Sequence, residues 1–97
     1  MKEQNLKNLR MKIDALDEQI QALISTRADL AAEVAKVKKE TNTQSVFYRP
    51  EREAQVLSRV ISRNKSLLKD KDVGHIFREI MSACLALEQP LKIAFLG

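Results

Sequence analysis

One basic residue interrupts an otherwise apolar pattern in the N-terminal segment. Arg27 lies between Leu23 and Leu30, where the flanking repeats are Leu, Ile or Val. A charge buried alone among such residues costs several kcal/mol even after relaxation, so it has to be paired. Spacing leaves two partners open. One is a nearby glutamate, or water reached by snorkelling; the other is an anionic ligand in the cavity of a helical bundle. Lys38 follows Arg27 by 11 residues. On a helix that is only ~20° around the axis and ~16 Å along it. Both side chains can lean toward a small ligand between them, although Lys38 taken alone reads as a solvated lysine in the run Lys36, Lys38, Lys39. Arg10 has the same heptad phase as Lys38 but stands roughly 25 Å from Arg27 along the axis. No metabolite touches both within one helix. If two such helices pair antiparallel, Arg10 of one copy lies near the far half of the other, and a site shared between subunits is natural.

Later segments add fewer candidates. Arg52 and Glu53 precede the apolar pair Val56 and Leu57 by one turn. Cys84 continues an apolar stripe, and Glu88 follows it by four residues, close to a helix end where the dipole disfavours a carboxylate. Glu88 is therefore either an exposed glutamate or a protonated or ligand-engaged one. A site of these parts works by electrostatic positioning of an anion, without nucleophile or cofactor. One His and one Cys cannot build a zinc site. No glycine-rich phosphate loop or Ser-His-Asp set is present, and His75 on a polar face reads as surface. Neither metal nor cofactor is expected.

The elements that must hold these residues are helices. Two glycines and two prolines in 97 residues leave little turn chemistry for a β architecture. The positions Leu6, Leu9, Ile13, Leu16, Ile20, Leu23, Arg27, Leu30, Val34 and Val37 follow steps of 3 and 4 throughout. That seam predicts one long helix over 6–39, too long for so short a chain to cover, so a second copy is expected. Residues 41–49 read as an ordered loop. Pro50 suits the first turn of a second helix ending near Asn64, with Leu67 and Leu68 capping the connection. A third helix is predicted from Asp70–Asp72, with an aspartate as N-cap, through the stripe Val73, Phe77, Ile80, Cys84, Leu87, and Pro90 ends it. The expected architecture is all-α: one long and two shorter helices in an intertwined homodimeric bundle. The tail Leu91–Gly97 reads instead as a buried first strand. The expected division is therefore 1–90 for the helical domain and 91–97 for the truncated start of a following one.

Composition narrows the partners. The net charge is +4 with signs interspersed, which favours an anionic partner over a basic tail. Tryptophan is absent and aromatics are 4%, so nucleic-acid stacking platforms are not expected. A single cysteine fits a reducing compartment. Without an apolar leader or a run of ~20 apolar residues, a cytoplasmic protein with no membrane partner is expected.

The stretches LRMKIDALDEQIQALISTRADLAAEVAKVK, FYRPEREAQVL and IFREIMSACLALEQ resemble the three helices of the all-helical chorismate mutases, covering about residues 6–89. The tail KIAFLG looks like the opening of a prephenate dehydratase domain, as in the bifunctional enzymes leading to phenylalanine. The resemblance implies an intertwined dimer with two shared sites and the pericyclic Claisen rearrangement of chorismate to prephenate. It implies carboxylate-binding roles for Arg27 and for Arg10 of the other subunit. It places Lys38 and Glu88 at the ether oxygen, and Arg52 with Glu53 at the substrate, the latter on the ring hydroxyl. Cys84 falls on a small polar position. Two positions depart from the pattern: several relatives have Gln where this chain has Glu88, and some have Ser at Cys84. Arg49 stands where some carry an acidic residue, and its role is open. Two rival readings remain, a non-catalytic helical dimerisation module and an isochorismate pyruvate lyase on the same scaffold.

Overall fold

The predicted seam is realised as one unbroken helix, α1 (Lys2–Glu40), followed by α2 (Pro50–Arg63) and α3 (Asp70–Glu88). The computed structural model describes residues 1–40 and 50–88, without the Glu88 side chain. The predicted loop over 41–49, Arg49 and the 91–97 tail lie outside the described residues. All three helices start and stop within a few residues of their expected bounds. α1 begins four residues early, because Glu3 suits the positive end of the helix dipole and the Asn5 amide already bonds the Met1 carbonyl. No described helix is long and apolar enough to cross a membrane.

α3 is the middle layer. It packs against both α1 and α2, whereas no Cα of α1 comes within 8 Å of a Cα of α2. The long axis of the molecule is 61 Å. α1 alone accounts for this, since 39 residues rise about 58 Å. The radius of gyration is 17.8 Å, against about 13 Å for a compact chain of this size. The buried apolar side chains among the described residues are Ala31, Val60 and Cys84. That core is too small to hold the fold by itself.

The edge of α1 that packs inside the chain is not the leucine seam. The residues of α1 with reduced exposure are Arg27, Ala28, Ala31, Ala35 and Lys38, all in its C-terminal half. A stripe of alanines lets α3 approach closely. The nine apolar positions of the seam stay exposed, from Leu6 at 46% to Leu23 at 70% and Val37 at 52%. Gly74 of α3 serves the α2–α3 contact: a Cβ there would meet Ile61 Cδ1 at 3.7 Å, an ordinary packing distance.

The α2–α3 connection departs from its predicted form. Leu67 is fully exposed and Leu68 half-exposed, so they cap nothing among the described residues. Hydrogen bonds centred on Asn64 order the segment instead. The Val73 amide bonds the Lys69 carbonyl, which makes Lys69 the N-cap residue. Asp70 is the first helical residue, and its carboxylate accepts from Asn64.

Candidate active site

Helical phase brings distant residues together here. Arg27, Leu30, Ala31, Val34 and Lys38 lie within three turns of α1, on the side turned toward α3 and α2. The first turn of α2 brings Glu51, Arg52 and Glu53 opposite them, with Gln55 and Val56 one turn on. Met81, Cys84 and Leu85 of α3 form the floor. The groove so enclosed measures about 640 Å³ and is open to solvent on one side. That is within the ~300–1,000 Å³ of small-molecule sites.

Five of the residues singled out from sequence therefore share one groove: Arg27, Lys38, Arg52, Glu53 and Cys84. Arg27, Lys38 and Glu53 are half-buried, Arg52 is exposed and Cys84 is buried. Cys84 is a free thiol. Three cations, Arg27, Lys38 and Arg52, and two carboxylates, Glu51 and Glu53, line the groove over an apolar floor, so it favours an anion with a hydroxyl or other donor for the acids. The sequence left open a glutamate, water or an anionic ligand as the partner of Arg27. Arg27 projects into this groove, half in contact with the chain and half in water.

Arg10 is elsewhere. It lies on the exposed N-terminal half of α1, beside Lys7, Met11 and Asp14. Within one chain it does not reach the groove, as the ~25 Å separation requires. The side chain of Glu88 lies outside the described residues. Sequence reasoning missed Glu51 and Gln55. Gln55 was open to it, standing three residues after Arg52 on the same helical face. Among the described residues no group of His, Cys, Asp and Glu could hold a metal ion.

The family "Chorismate mutase type II" matches residues 9–89. The bifunctional chorismate mutase/prephenate dehydratase of Pseudomonas aeruginosa is 56% identical over 95 residues, which is 95% of this chain and 26% of that protein. The namesake from Aquifex aeolicus is 38% identical over 98 residues, covering 97% of this chain and again 26% of the relative. This chain thus spans about a quarter of the length of the curated relatives it matches. Among solved structures, a chorismate mutase (form II) from Thermus thermophilus superposes with a TM-score of 0.83 at 28% identity, over 90% of this chain and 97% of that one. A chorismate mutase from Helicobacter pylori, solved with prephenate, superposes at 0.76 with 30% identity, over 87% and 89%.

Proposed function

The chain belongs to the chorismate mutase type II family, and on that premise we propose that it converts chorismate to prephenate in a groove shared between two copies. One observation carries the reading: three separated stretches of sequence deliver Arg27, Lys38, Arg52 and Glu53 to one groove. Chorismate is a dianion, and a guanidinium meets a carboxylate bidentately. Arg27 and Arg10 of the other copy clamp the two carboxylates and select the compact conformer, which removes much of the entropic barrier. Arg52 and Glu53 fix the ring end, Glu53 accepting from the hydroxyl. As the C–O bond breaks, charge grows on the ether oxygen, and Lys38 stabilises that charge more than the ground state. Cys84 packs beneath the ring. No proton moves.

The exposed seam supports the dimer in this reading. Its ten positions read the same in both directions, so an antiparallel partner pairs 6 with 37, 9 with 34, 13 with 30, 16 with 27 and 20 with 23. In that register Arg10 of one copy sits beside position 33 of the other, between Arg27 and Lys38. It is then ~9 Å along the axis from the first and ~7.5 Å from the second. Both are within reach of long side chains gripping one small ligand.

In the whole protein we place the mutase unit at 1–90 and the start of a dehydratase domain at 91–97. That puts the reaction in cytoplasmic phenylalanine biosynthesis. Glu88 is assigned to the ether oxygen, where a carboxyl donates only when protonated. Turnover is then expected to fall as pH rises, and Glu88→Gln to flatten the profile; identical profiles for the two would remove Glu88 from the site. The direct test of the function is the loss of chorismate absorbance with the product identified. Prephenate supports the mutase, salicylate formed from isochorismate with no prephenate from chorismate supports the lyase, and no turnover of either by a folded dimer leaves a dimerisation module.

A further inference from the structure

α2 carries Arg52 and Glu53 to the groove, yet no Cα of α2 lies within 8 Å of one in α1. Among the described residues α2 packs at close range on α3, and the connection after Arg63 joins the two. That connection has no apolar anchor, since Leu67 is 106% exposed and Leu68 53%. It is organised around one side chain. Asn64 Nδ2 donates to the Leu68 carbonyl at 2.9 Å and to the Asp70 carboxylate at 2.8 Å. Asn64 Oδ1 accepts from the Ser66 amide at 3.2 Å and the Ser66 hydroxyl at 2.6 Å. Ser66 Oγ in turn accepts from the Leu68 amide at 3.1 Å. The two donors and two acceptor sites of the Asn64 amide are all used. They join the residue after α2 to the first residue of α3.

We propose that Asn64 is a positioning residue for the groove: it locks the α2–α3 hinge and so holds Arg52 and Glu53 opposite Arg27. The proposal rests on the mutase reading for its kinetic arm only. Arg52 is 12 residues from Asn64, roughly 18 Å along α2, so a tilt of about 10° at the hinge moves it by roughly 3 Å. Displacements of that size matter to a clamp that works by orientation. A loosened hinge populates arrangements that do not bind, and substrate draws the competent one back. The signature is a raised KM with kcat nearly kept. Partial unfolding gives the opposite, a lower apparent kcat at constant KM.

The test compares Asn64→Asp, Asn64→Asp with Asp70→Asn, and Lys65→Ala in the full chain. Asn64→Asp keeps both contacts with Ser66 but loses the donor to the Leu68 carbonyl and sets a second carboxylate against Asp70, so KM is expected to rise about tenfold. The double variant exchanges donor and acceptor between positions 64 and 70, leaving only the bond to the Leu68 carbonyl unrestored, and KM is expected to return to within about threefold of wild type. Lys65→Ala, on the same segment but outside the network, is expected to leave KM unchanged. Hydrogen exchange supplies an arm independent of activity. Protection across α2 is expected to fall in Asn64→Asp and recover in the double variant, while α3 near Cys84 is unaffected. Unchanged KM, or loss of protection equally in α2 and α3, overturns the proposal. If wild type does not convert chorismate, the mutase reading fails while exchange still decides the role of Asn64.

Discussion

From Lys2 to Thr26 every residue of α1 is exposed, while from Arg27 onward its Ala28–Ala31–Ala35 edge lies against α3. The same helix, with the same 3–4 spacing of large apolar residues, is thus used in two ways. The C-terminal half makes an intramolecular contact through small residues, which allow close approach. The N-terminal half shows Leu9, Ile13, Leu16 and Ile20 at 53–55% exposure with no part of the described chain over them. A contiguous apolar stripe of that length marks an interaction surface. Large residues on one edge and small ones on the other therefore separate the proposed contact between copies from the contact within one. Arg27 stands where the two halves meet, and in the proposed dimer it takes part in both the chain's own groove and a clamp with a partner.

A charge placed in the seam is the severest way to break this contrast. Ile20 pairs with Leu23 of the other copy in the proposed register, close to the dyad, so a substitution there acts twice. Ile20→Glu is expected to weaken association by on the order of 5 kcal/mol per dimer and to abolish turnover, read by sedimentation and chorismate assay. A dimer that persists with full activity would place the interface elsewhere. In the C-terminal half the sensitive change is one of size. Ala31 is 7% exposed against α3, and Ala31→Leu is expected to destabilise by about 1–3 kcal/mol through overpacking. The same enlargement at exposed Ala32, about 100° around α1 from Ala31, is expected to change little. Equal effects at both would mean that α3 does not discriminate the two edges. The smallest effect belongs to the α2–α3 contact. Gly74 has room for a methyl group, so Gly74→Ala is expected to stabilise by about 0.5–1 kcal/mol through helix propensity, seen as a raised melting temperature.

Much of this was legible in the residues. The 3–4 seam and the Pro50 and Asp70 signals located three helices within a few residues, because long periodic segments dominate local structure. Arg27, Lys38, Arg52, Glu53 and Cys84 were singled out before any geometry, and they share a groove. What escaped was packing. Alanines read as neutral filler, so the Ala28–Ala31–Ala35 contact with α3 had no signal beside the leucines. Leu67 and Leu68 suggested an apolar cap, whereas short polar side chains, Asn64 and Ser66, hold that connection. That both carboxylates of the first turn of α2, Glu51 and Glu53, line the groove was equally hidden, because the angle at which that turn meets the groove is set by tertiary contact.

The central claim is that one groove takes Arg27 from one copy and Arg10 from the other, and subunit mixing tests it most directly. Arg27→Ala and Arg10→Ala homodimers are each expected to lose about 100- to 1,000-fold in kcat/KM. In a heterodimer of the two variants, one site has lost both arginines and the other keeps both. After co-refolding of equal amounts, half the dimers are mixed, and activity is expected to recover to about a quarter of wild type. A mixture confirmed to contain heterodimers yet no more active than its parents would contradict the shared site.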